Sequence, residues 1–190
     1  MRKSKQEAAV TRHRIIKAAA AELRKIGIAQ TGLSDLMAAA GLTHGGFYRH
    51  FDSKDQLVAE ACTAAAKALV EQLAASASKQ SPQRGLKTIV ENYLSAAHRD
   101  APADGCPVAA LGSEIARGDE RTRAAATQAL LKFVEVIASQ FGKTRPDVAR
   151  RRALVAAATM IGALTMSRIV TDSELSAGIL REAEKQLVKS

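Results

Sequence analysis

Apolar residues along this 190-residue chain return at three- and four-residue steps, the spacing of a helical face, with no alternating stretch that would mark a strand. Between Thr11 and Ile26, Ile15 and Ile16 lead to Ala19, Leu23 and Ile26, and Gly27 follows as a stop, which predicts a first helix. A short second helix is predicted with Thr31 as its cap, Asp35 in its early turns and Leu33, Leu36, Met37 and Ala40 on its buried face. Gly41 ends it by supplying a positive φ. Thr43 opens a third helix through Tyr48, and two short helices joined by a Gly-containing turn of about three residues form a helix-turn-helix. Ser53-Lys-Asp-Gln56 has the form of a capping box, so a fourth helix starts there and runs to about Lys79 along Leu57, Ala61, Leu69 and Leu73.

Beyond it, Ser81-Pro82 and Cys106-Pro107 each set a proline at a helix start. Gly118-Asp119 breaks the pattern before a helix to Gly142, and Thr144-x-x-Asp147 and Thr171-x-x-Glu174 open two final helices. The fold expected is all-α, with about nine helices. An N-terminal three-helix domain over residues 1–55 precedes a larger helical domain over 56–190.

The composition is 47% hydrophobic and rich in alanine, which favours helix throughout. The net charge of +9 points toward a polyanion, and its distribution sharpens that. Arg2, Lys3, Lys5, Arg12, Arg14 and Lys17 crowd the first turns against the single acid Glu7, a basic arm leading into a helix. No apolar export segment follows the basic start and no uncharged apolar run of ~18 residues occurs, so a cytoplasmic protein without membrane contact is expected. Cys62 and Cys106 fall on different predicted helices and imply no disulfide. His98, Asp100, Asp104 and Cys106 lie close in sequence but lack the paired spacing of a metal site. With no phosphate-binding loop, nucleophile elbow or zinc-protease motif, neither metal, cofactor nor enzymatic activity is expected.

Gly45 and Gly46 sit in the first turn of a helix, where each costs about 1 kcal/mol relative to alanine. Either they extend the turn, or a partner approaches that helix end so closely that a side chain would obstruct it. Lys54 opposes the dipole at the start of the fourth helix, a sign that a nearby phosphate would reverse. The stretch containing Thr31, Ala40-Gly41-Leu42, Thr43, Gly45, Tyr48, Phe51, Ser53, Lys54 and Leu57 resembles the signature of the TetR/AcrR family of transcriptional regulators. That resemblance implies a DNA-binding regulator, in most relatives a repressor released from its operator by a small-molecule inducer.

It further implies phosphate contacts for Thr31, Tyr48, His50 and Lys54 and base contacts for Thr43, His44, Gly46 and Arg49, with Ser34 and Gly45 on the same surface. Two departures stand out: His44 replaces a common lysine, and Gly32 removes a hydroxyl. Leu23, Leu36, Leu42, Phe47 and Phe51 read as the core of the module. One recognition helix gives little specificity, so a dimer on a pseudo-palindromic duplex is expected. The last two helices offer Ala149, Ala153, Ala156, Ala157, Met160, Ile161 and Leu164, and a second stripe of Leu175, Ile179, Ala183 and Leu187. These faces pair either between subunits, as the resemblance implies, or within one.

The resemblance also implies a ligand pocket among the middle helices. Aromatic residues make up only 3% of the chain, so an aliphatic pocket is expected, lined by Tyr93, Leu94, Cys106, Val108, Leu111, Leu130, Phe133, Val134 and Ile161. Gly105-Cys-Pro-Val-Ala-Ala-Leu-Gly-Ser-Glu114 resembles a Gly-Cys-x-x-x-x-Leu-x-x-Glu stretch in a subset of the family. Cys106 at a helix mouth is therefore either a sensor of oxidants or electrophiles or a small residue ahead of Pro107.

Overall fold

The computed structural model describes residues 5–78 and 80–189; Arg2 and Lys3 of the basic arm and Lys79 at the expected end of the fourth helix lie outside them. Among the described residues every regular element is helical. Helix α1 spans Lys5–Ile26, α2 spans Leu33–Ala39, a 3₁₀ segment covers His44–Arg49, and α3 runs over Lys54–Ala77. Gly27 and Gly41 adopt φ of 105° and 67°, as their stop positions demand.

The cap of α2 falls one residue later than expected. Gly32 holds the N-cap position, and the Asp35 carboxylate accepts its backbone N–H at 2.9 Å. Thr31 is instead buried and donates its hydroxyl to the Gly27 carbonyl, closing the end of α1. The third helix forms as 3₁₀: Gly46 N–H reaches the Thr43 carbonyl at 3.1 Å and His50 N–H the Phe47 carbonyl at 2.9 Å. Two adjacent glycines remove the propensity that would sustain an α-helix there. At α3, Ser53 Oγ accepts from Gln56 N–H at 3.1 Å, while Gln56 Oε1 reaches back to Asp52 N–H at 2.7 Å.

The larger part of the chain carries α4 (Pro82–Tyr93), α5 (Ala96–Asp100), α6 (Pro107–Ala116), α7 (Glu120–Ala138), α8 (Pro146–Ile169) and α9 (Ser173–Lys189). Helix α5 has no apolar face to announce it; Ser95 Oγ, accepting from His98 N–H at 3.1 Å, nucleates it instead. Of the two expected late caps, Asp172 rather than Thr171 serves α9, accepting Leu175 N–H at 2.7 Å. Helix α8 is long and apolar enough to cross a membrane by length and composition, and it packs against α6, α7 and α9.

Two cores result. The N-terminal one gathers Ile15, Leu23, Leu36, Met37, Phe47, Phe51 and Leu57, and is completed by Leu111 and Ile115 from α6. The other gathers Leu73, Ile89, Tyr93, Phe133, Ile137, Met160 and Leu164. Helix α3 passes from the first to the second.

The faces of α8 and α9 must be reassigned. Ala149, Ala153, Ala156, Ala157, Met160 and Leu164 are all buried within the chain, because this small-residue face receives α7 and α9, and Leu187 is buried with them. Of the two stripes only Leu175 stands well exposed, at 54%. The exposed apolar residues, Leu154, Val155, Met166 and Ile169, lie on the opposite side of α8.

Candidate functional site

The 3₁₀ segment alternates anchor and projection. Phe47 is fully buried, stacks on Phe51 at 5.6 Å between centroids and takes the edge of Tyr48 at 5.1 Å. Around it Thr43, His44, Gly45, Tyr48 and Arg49 are exposed, with Ser34 also exposed on α2 and Gly46 and His50 half-buried. Tyr48 leaves 71% of its surface in solvent although its ring packs on Phe47. A Cβ on Gly45 would meet nothing within 4 Å, and one on Gly46 would only touch Met37 Cε at 3.7 Å. Neither glycine has positive φ, so the turn itself does not require them.

The structure removes one residue from the expected surface. Thr31 is 1% exposed with its hydroxyl turned to Gly27, so its side chain does not stand on this face. Lys54 is half-buried, and its ammonium donates to the Ile28 carbonyl at 2.8 Å, leaving two of its three N–H donors.

Arg12, read from sequence only as part of a basic arm, proves to be a clamp. It binds both Glu60 carboxylate oxygens at 2.6 and 2.7 Å, donates through Nε to the His50 carbonyl at 3.1 Å and lies 4.5 Å over the Phe51 ring. The hydrogen bond from Arg12 holds the Glu60 carboxyl below its ordinary range. Residues 38 and 48 positions away in sequence meet here, which no local pattern signals.

A second link was also invisible in the sequence. Glu114 of α6 accepts Ala29 N–H at 2.8 Å, and a Cβ on Gly27 would lie 3.2 Å from this carboxylate. Arg24 of α1 donates to the Ala103 carbonyl just before α6 at 2.8 Å. Helix α6 therefore grips the loop that leads into the helix-turn-helix.

On its other side α6 faces an apolar cleft. Cys106, Val108, Leu130, Phe133 and Ile161 line it, together with Ala66, Leu69, Val70, Pro107 and Ala129. Its volume of about 20 Å³ admits one water-sized group. Tyr93, Leu94 and Val134 do not line it, being spent as core, and Leu111 is buried in the N-terminal core. Cys106 is 4% exposed, so its thiol faces the cleft rather than bulk solvent. Burial pushes the Cys62 thiol up to about 11, consistent with a packing role.

His98 ties this region together. Its Nδ1 lies 2.7 Å from the Tyr93 carbonyl and its Nε2 accepts Cys106 N–H at 3.0 Å, a pairing that requires the neutral ring protonated on Nδ1. Burial lowers its pKa in the same sense.

Residues 15–61 match the family described as bacterial regulatory proteins, tetR family, and residues 82–186 match the LmrA/YxaF-like transcriptional regulator C-terminal domain. Among curated relatives, the regulator TtgR of Pseudomonas putida is 45% identical over 58 residues, a stretch that covers 30% of this chain and 28% of TtgR. A TetR transcriptional regulator from Chloroflexus aurantiacus superposes with a TM-score of 0.80 at 30% identity, covering 97% of this chain and 95% of that one. AibR, crystallised with isovaleryl coenzyme A and operator DNA, shares the fold at a TM-score of 0.63 and 18% identity, over 90% of this chain and 97% of AibR. An exposed helix-turn-helix carried on a helical domain, with both parts matched, fixes the assignment: this chain belongs to the TetR family of transcriptional regulators.

Proposed function

We propose that the chain acts in the cytoplasm as a homodimeric repressor, holding a pseudo-palindromic duplex through Thr43–Arg49 and releasing it when a small molecule enters the cleft beside Cys106. Gly45 carries this reading. Nothing among the described residues needs the missing side chain, whereas a duplex backbone or base edge pressed against the segment would. Tyr48, His50 and Lys54 then serve as phosphate anchors, Ser34 borders them, and Thr43, His44, Gly46 and Arg49 face the groove. AibR, with the same fold, accommodates operator DNA and an acyl thioester together.

Helix α6 supplies the coupling. Cys106 and Val108 at its N-terminal end line the cleft, Leu111 and Ile115 farther along sit in the N-terminal core, and Glu114 holds Ala29. A ligand too large for the closed cleft displaces α6, and the displacement reaches the helix-turn-helix through these contacts. Only a ligand that prefers the displaced state shifts the equilibrium. Dimerisation uses the free face of α8, where Val155, Met166 and Ile169 are 65%, 55% and 71% exposed.

Selecting duplexes from a random pool and titrating the winner by fluorescence anisotropy tests the reading. Affinity should fall steeply with salt, and Tyr48→Ala should weaken it about tenfold or more, with the melting temperature unchanged. Selection of no sequence, or wild-type affinity in Tyr48→Ala, would refute it.

A further inference from the structure

Two buried side-chain polar atoms among the described residues lack a hydrogen-bond partner, Tyr93 Oη and Arg168 Nη1. Native structures hold few such atoms, and each asks for an explanation. These two belong to one cluster behind the cleft. Tyr93 is fully buried, stacks on Phe133 at 5.4 Å, packs T-shaped against His98 at 4.8 Å and has the Cys106 thiol beside its phenol. Phe133 and Cys106 are themselves walls of the cleft.

Arg168 approaches the same point from α8. Its Nη2 donates to the His98 carbonyl at 2.6 Å, its Nε to the Arg99 carbonyl at 3.0 Å, and Nη2 lies 3.1 Å from where a Cβ on Gly105 would stand. Backbone carbonyls position this guanidinium but do not neutralise it. The neighbouring acid, Asp100, is bound to Arg99 at 2.7 Å. His98 contributes no negative charge, and burial lowers the Arg168 pKa against the pull of Asp100. A half-buried guanidinium and a buried phenol, each with a spare donor, flank His98, whose Nε2 takes the N–H of Cys106, a wall of the cleft.

We propose that the cleft takes a small apolar monocarboxylate, its carboxylate held by Tyr93 Oη and Arg168 Nη1 and its hydrocarbon lying among Leu69, Val70, Leu130 and Ile161. This rests on the effector reading of the cleft above. Charge-assisted bonds to the two orphaned donors supply the affinity that a purely apolar occupant would lack. The closed cleft admits one water-sized group, so an acid of several carbons enters only as Cys106 and Val108 move with α6.

The test is calorimetric titration of the full-length protein with hexanoate, octanoate and phenylacetate, each against the primary alcohol of the same skeleton. At least one acid should bind about tenfold or more tightly than its alcohol. Tyr93→Phe and Arg168→Met should bring the acid to the level of the alcohol and leave the alcohol unchanged. Arg168→Met also releases two carbonyls; if it fails to fold, Tyr93→Phe carries the test alone, since it deletes an unpartnered hydroxyl and should melt at or above the wild-type temperature. The proposal falls if no acid binds at millimolar concentration, if acids and alcohols bind alike, or if Tyr93→Phe binds acids as the wild type does. Operator binding is measured separately on ligand-free protein. A bound operator with no acid bound removes only this inference, whereas failure to select any operator removes the regulator reading whatever the acids do.

Discussion

Gly45→Ala should make the protein more stable and its DNA binding weaker. The added carbon meets no atom within 4 Å, and the residue has no positive φ, so the folded state accepts it without strain. The unfolded chain loses conformational freedom, which stabilises the fold by about 0.4–1 kcal/mol. For a chain of this size each kcal/mol raises the melting temperature by roughly 2–4 °C, so a rise of about 1–4 °C is expected. Against a duplex the same methyl stands in the path of the phosphate or base edge, twice per dimer. If each copy costs about 1 kcal/mol, affinity falls roughly thirtyfold, since ~1.4 kcal/mol is a factor of ten. Scanning calorimetry reads the first quantity and anisotropy on the selected duplex the second. Unchanged affinity would show that the glycine serves no partner, and a lowered melting temperature would show that the space around it is not open.

Three further outcomes are expected. Arg12→Met should destabilise by about 1 kcal/mol, a modest figure because Arg12 and Glu60 keep 34% and 26% of their side-chain surface in solvent. Because the folded Glu60 carboxyl is depressed, the pair contributes fully above the ordinary carboxylate value of about 4.3, and the gap between wild-type and variant melting curves should close as pH falls below it. Val155→Glu, which places a charge on the exposed face of α8, should yield a folded monomer in sedimentation velocity; a dimer of wild-type strength would move the interface elsewhere. Cys106→Ser should abolish any release of operator by peroxide or electrophiles while leaving release by a reversible ligand in place, and retained peroxide sensitivity would exclude this thiol as a sensor.

Local chemistry was readable in the sequence wherever it acts over one turn. Gly27 and Gly41 end their helices at positive φ, Ser53 caps α3, and the order of elements through the helix-turn-helix follows the pattern of apolar residues. What escaped depends on distance or on phase. The clamp of Arg12 on Glu60, the reach of Glu114 to Ala29 and the grip of Arg168 on His98 and Arg99 join residues tens of positions apart. The alanines of α8 were conspicuous but ambiguous, since a small-residue face suits close packing to any neighbour, and in the fold α7 and α9 claim it. Thr31 matched the expected pattern yet turned inward, because the Gly27 carbonyl at the end of α1 lies within reach of its hydroxyl.

The placement of Leu111 and Ile115 bears on how such a regulator can be divided. A fragment carrying only α1 to α3 would keep every residue of the reading head, yet would expose Leu23, Ala61 and Ala65 where α6 now lies, and would lose the Arg121 charge that stands 3.9 Å from Glu60. The N-terminal core thus borrows part of its interior from the larger domain. A chimera that exchanges ligand domains between relatives would have to carry α6 with its original N-terminal partner, or redesign both sides of that seam at once.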